Sequence, residues 1–161
     1  MIDFLSKHSS NDLERDKKSV NQFKFHHLGV AVRDLSTAVP IYKTLFGYEV
    51  ISGPFDDPIQ DVSVCFLSRG AGDPVMELVA PLGPNSPING RLKMGGGVYH
   101  VCYEVPNMQS AITHLREQNS LLLSEPQPAV AFGMREIAWL LTETDLLVEL
   151  LQESVHTNHH E

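Results

Sequence analysis

Apolar and polar residues alternate along Lys24 to Val32. Phe25, His27, Gly29 and Ala31 fall on one side, Leu28, Val30 and Val32 on the other, which is the period of two of a β-strand. The pattern then turns helical. Leu35, Ala38, Val39 and Tyr42 follow at three- and four-residue intervals behind Asp34, whose short carboxylate suits an N-cap, and Gly47 supplies the stop. Pro40 falls inside this helix and predicts a bend, because it removes a backbone hydrogen bond. Apolar runs near Glu49–Ser52, Val62–Leu67 and Val75–Ala80 predict three more strands. The branched aliphatic side of the first strand meets the helix, so His27 faces away from it.

The same order then repeats. A strand is predicted over Val98–Val105, a cap at Asn107, a helix through Met108, Ala111, Ile112 and Leu115, and strands near Leu121–Leu123, Arg135–Leu141 and Leu146–Leu151. Between the halves, Pro81 to Gly97 holds three prolines and five glycines, the punctuation of a connection. Its run Lys93 to Gly97 lacks the spacing of a phosphate-binding loop and reads as a glycine turn feeding the next strand. The chain is therefore expected to be one α+β domain over 23–153, built as two tandem βαβββ modules, 23–81 and 97–153, with a connector at 82–96. Polar tails are expected at 1–22 and 154–161, the second carrying His156, His159 and His160, read as tail rather than as a metal cluster.

The repeat brings chemistry with it. His27 and His100 stand 73 residues apart, and Glu77 and Glu149 stand 72 apart, each pair at matched places in the two halves. Glu77 lies between Val75 and Val79 on one strand face, and Glu149 between Leu147 and Leu151. A carboxylate among aliphatic neighbours is costly to bury without a partner. One divalent cation bound by His27, Glu77, His100 and Glu149 neutralises both. Such a mixed nitrogen and oxygen set suits zinc, cobalt, nickel, manganese or iron. Four protein ligands leave one or two positions for water or substrate, the mark of a catalytic rather than a sealed structural metal.

The formal net charge of −8 speaks against a nucleic-acid partner, since phosphate binding needs a basic surface. Cys65 and Cys102 sit in apolar strands without a CxxC pairing and read as buried thiols. No apolar run is long enough to span a membrane. The first 22 residues mix acidic and basic side chains, unlike a signal or transit peptide, so a cytoplasmic location is expected.

On these residues the chain resembles the vicinal oxygen chelate superfamily and, within it, the methylmalonyl-CoA epimerases. The carriers are His26 to Val32 with Asp34-Leu35, Met76 to Pro81, Ser86-Pro87-Ile88, Gly97 to Val105, and Leu147 to Leu150. The resemblance implies paired βαβββ modules whose mixed sheet curves into a cup around one divalent metal, held by the same four residues. It implies proton transfer next to a thioester carbonyl through a metal-stabilised enolate, with an acyl-CoA or other acyl thioester as substrate, and a homodimer. The family's glutamate base falls at Ile59, which cannot transfer a proton. Asp57, Asp61 and Glu149 are then the candidates, with Asp57 also fitting a turn former in Asp56-Asp57-Pro58. The epimerases' His-Pro-Lys turn before the last strand is Thr142 to Asp145 here. A glyoxalase I-like lyase or isomerase and a metal-free small-molecule binder are the alternative functions within the superfamily; an intact ligand set speaks against the binder.

Overall fold

The computed structural model describes residues 22–154. The expected tails, and with them His156, His159 and His160, lie outside the described residues except for Gln22 and Ser154. Module one comprises β1 (Lys24–Ala31), α1 (Leu35–Phe46), β2 (Glu49–Asp57), β3 (Val62–Ser68) and β4 (Met76–Pro81). A short helix α2 (Ile88–Lys93) precedes module two: β5 (Gly97–Val105), α3 (Met108–Glu117), β6 (Leu121–Ala129), a 3₁₀ turn (Val130–Phe132), β7 (Arg135–Leu141) and β8 (Leu147–Gln152). The helices start as their caps predict. Asp34 Oδ1 accepts from the Thr37 amide at 2.8 Å, and Asn107 Oδ1 accepts from the Ser110 amide at 2.9 Å. Gly47 closes α1 in the left-handed conformation.

All eight strands join one mixed sheet in the order β2-β3-β4-β1-β5-β8-β7-β6. The order is a palindrome about the antiparallel β1–β5 seam, and each module pairs its first strand in parallel with its last. A 42% apolar chain thereby covers its outer face: Val30, Leu67 and Leu78 pack under Ala38 of α1, and Val101, Leu140 and Leu150 under Ala111 and Ile112 of α3. Among the described residues no helix is long and apolar enough to cross a membrane. Cys65 and Cys102 are buried and unpaired.

Three features depart from the sequence expectation. β2 runs to Asp57 rather than Ser52, and β6 to Ala129 rather than Leu123. Both contain prolines, Pro54 in one, Pro126 and Pro128 in the other, and both are edge strands, where a missing N–H costs no ladder bond. Their register irregularities also match, between Ser52 and Phe55 and between Ser124 and Gln127. The connector is not all loop: Ile88 and Leu92 are buried on α2 against the inner cluster of module one. Gly95, Gly96 and Gly97 then turn with positive φ into β5. Helix α1 runs without a break through Pro40.

Candidate metal centre

The four central strands each deliver one side chain to the same point. His27 comes from β1, Glu77 from β4, His100 from β5 and Glu149 from β8. The register explains the convergence. Gly29 is the cross-strand partner of both Glu77 and His100, and Cys102 is the partner of both His27 and Glu149. Gly29 and Cys102 are themselves 73 residues apart, so each half places a small residue between two ligands of the quartet. A Cβ on Gly29 would fall inside the imidazole of His100.

His27 Nε2 lies 3.1 Å from His100 Nε2. Glu77 Oε2 lies 3.2 Å from the first nitrogen and 3.3 Å from the second, and Glu149 Oε2 lies 3.2 and 3.4 Å away. All four residues are at most 5% exposed. Bonds of about 2.0–2.2 Å from one cation to nitrogen and oxygen ligands separate neighbouring donors by about 2.9–3.5 Å, so these distances fit a shared ion. Glu149 Oε2 has no aligned hydrogen-bond donor although both imidazoles face it. The donor set and that unsatisfied oxygen together fit a divalent metal.

Burial opposes charge on His27, but Glu77 and Glu149 outweigh it and push the imidazole up to about 10. His100 is raised for the same reasons. Burial also works against charge on Glu77 and Glu149, yet the two imidazoles hold both carboxyls below their ordinary range. The metal-free centre is thus a proton-rich cluster that a cation would replace.

The two imidazoles are supported differently. His26 Nδ1 sits 2.8 Å from His27 Nδ1, which turns Nε2 of His27 toward the centre. Burial and the neighbouring His27 lower His26, favouring the neutral ring that accepts this bond. Position 99 is the counterpart of position 26 in the repeat and holds Tyr99, so Nδ1 of His100 is buried without a partner. Aromatic rings close the surroundings: Phe66 and Phe132 against His27, Tyr99 and Trp139 against His100.

The quartet opens on a cavity of about 810 Å³, walled mostly by aliphatic and aromatic side chains from both modules and α2. Asp57 reaches its wall but is occupied. Its Oδ1 accepts from the amides of Ile59 and Gln60 at 2.9 and 3.1 Å, and its Oδ2 accepts from the Val130 amide at 2.9 Å. These bonds make Asp57 the turn former of its hairpin, and the third ties the end of β2 to the end of β6, the two opposite edges of the sheet. Asp61 has a left-handed backbone in the same turn and does not line the cavity. Ile59 is half-exposed and outside it as well. Of the three candidate bases, the fold brings Glu149 to the centre, fixes Asp57 in the backbone and leaves Asp61 apart. Gly29, His26 and Tyr99 were missed as site residues; lining up positions 26 with 99 and 29 with 102 in the repeat would have found them.

The family model of the Glyoxalase/Bleomycin resistance protein/Dioxygenase superfamily matches residues 26–139. Mitochondrial methylmalonyl-CoA epimerase of Bos taurus is 42% identical over 115 residues, covering 70% of this chain and 64% of that protein. The chain therefore spans somewhat under two thirds of the bovine relative's length. Ethylmalonyl-CoA/methylmalonyl-CoA epimerase of Cereibacter sphaeroides is 33% identical over 133 residues, covering 80% of this chain and 97% of that protein. Among solved structures, methylmalonyl-CoA epimerase from Mycobacterium tuberculosis superimposes with a TM-score of 0.69 at 24% identity, covering 81% of this chain and 88% of that one, and shows the same fold.

Proposed function

This chain belongs to the glyoxalase/bleomycin resistance/dioxygenase superfamily, and on that premise we propose that it is a divalent-metal-dependent epimerase of a 2-substituted malonyl-CoA or closely similar acyl thioester. The observation that carries the reading is the buried quartet of two imidazoles and two carboxylates at the base of a largely apolar cavity. The names of the bovine and Cereibacter relatives supply the substrate class.

Epimerisation removes a proton next to a carbonyl and returns one to the opposite face, so the site must spread the charge left on the substrate and move a proton. A bound divalent ion supplies Lewis acidity toward the substrate's oxygens. His27, Glu77, His100 and Glu149 would hold it. The aliphatic and aromatic walls keep bulk water from the carbanion, which strengthens electrostatic interactions within. Of the three candidate bases, Glu149 is the one that stands at the centre, so it is the group assigned to take the α-proton. Asp57 holds the cavity's rim together and stays out of proton transfer.

The test is exchange. Metal-loaded protein incubated with methylmalonyl-CoA in deuterated water is expected to place deuterium at the α-carbon, while chelator-treated protein does not. Absence of exchange from a fully metallated protein rejects the proposal.

A further inference from the structure

We propose that Tyr99 is a catalytic residue whose hydroxyl donates a hydrogen bond to a substrate oxygen carrying negative charge at the centre; the substrate named in its test rests on the function proposed above. The argument begins with the repeat. Positions 26 and 99 each precede a histidine of the quartet, and each ring stands edge-on to that histidine, at 5.1 Å for His26 and 4.5 Å for Tyr99. His26 turns its nitrogen to its neighbour. Tyr99 does not: its side chain lines the cavity instead, and the Nδ1 of His100 is left without a partner.

Several other polar side chains on that wall are engaged, although the Nε of Arg91 is left without a partner. Asp57 takes three amides, Ser124 Oγ accepts from the Trp139 amide, and Arg91 donates to the Val98 carbonyl. Gln60 and Asp145 also line the cavity, but neither packs against a ring of the quartet, whereas Tyr99 stands edge-on to His100 beside Trp139. Its ring is fixed between His100 and the cluster of Ile88 and Leu92, so the hydroxyl is held in place before substrate arrives. A phenol is a neutral donor at physiological pH. A fixed donor in a dry, low-dielectric site strengthens as charge develops on its acceptor, which is how an oxyanion is stabilised. No bond is made or broken at Tyr99.

The test is Tyr99→Phe, which keeps the ring and its packing. The variant is expected to retain full metal content by elemental analysis and the wild-type melting temperature. Its kcat for α-proton exchange on methylmalonyl-CoA should fall roughly 10²-fold with KM nearly unchanged, as for loss of one such donor. The metal-loaded variant should also bind oxalate, a planar dianion that any chelating centre accepts, at least tenfold more weakly by calorimetry. Wild-type oxalate affinity in Tyr99→Phe overturns the inference, as does loss of metal. A wild-type protein inert toward methylmalonyl-CoA, with oxalate still weakened by Tyr99→Phe, overturns the acyl assignment and supports the role of Tyr99.

Discussion

Gly29 stands directly across the β1–β5 seam from His100, and the imidazole fills the space where any side chain at 29 would begin. One backbone position thus sets where a ligand on another strand can lie. Gly29→Ala is expected to displace His100 and weaken metal binding at least tenfold, although no ligand is altered. Competition with a fluorescent chelator measures this, and wild-type affinity in the variant would refute it.

His100→Ala removes a ligand outright. One divalent ion per chain is expected in the wild type and less than a tenth of that in the variant, with the sheet intact by circular dichroism. Equal metal content in the two proteins would falsify the quartet.

His26→Ala leaves all four ligands but frees the ring of His27. Loss of a residue that orients a ligand lowers metal affinity by roughly 10–100-fold. His26→Gln, whose carbonyl can accept the same proton, should recover part of it. If the Ala variant binds metal as well as wild type, the 2.8 Å contact is incidental.

The pH dependence has a definite sign. Without metal His27 holds its proton up to about 10, against an ordinary 6.5. A ligand must be neutral, so metal binding expels that proton, and affinity should rise with pH by up to about tenfold per unit until His27 titrates. The metal-free protein behaves oppositely. The raised His27 contributes stability that is complete below 6.5 and lost as pH rises through 10. The lowered Glu77 and Glu149 contribute stability that is present above 4.5 and lost on acidification. Melting in chelator should therefore be highest between those two values, and a monotonic profile would contradict the cluster.

Asp57→Asn separates clamp from base. The amide nitrogen cannot accept from Val130, so stability should fall by about 1–3 kcal/mol, while metal content and α-exchange remain. A stable, metallated variant without exchange would make Asp57 the base.

The sequence made the buried quartet legible because its two histidines and two glutamates repeat at offsets of 73 and 72, and a strand's period of two then puts each on the inner face. The helices were equally plain from Asp34, Gly47 and Asn107. The edge strands β2 and β6 were cut short because Pro54, Pro126 and Pro128 look like strand ends; only the sheet order shows that their unpaired sides face outward. Asp57 was divided between base and turn former. Its partner at Val130 lies 73 residues away, a pairing that local pattern does not contain. Tyr99 was passed over because, taken alone, a tyrosine beside a strand histidine has an ordinary place in a core.

The palindromic strand order leaves each half of the chain with one imidazole and one carboxylate, which is half a coordination sphere. Severed within 82–96, the halves would become two polypeptides sharing a single ion, each a weak bidentate chelator alone. Their affinity for one another and their joint affinity for the cation would then be one linked equilibrium: the metal would act as a reversible crosslink beside the β1–β5 seam, and removing it would weaken the pair. In the intact chain the connector takes over that task by holding the second half at high effective concentration beside the first.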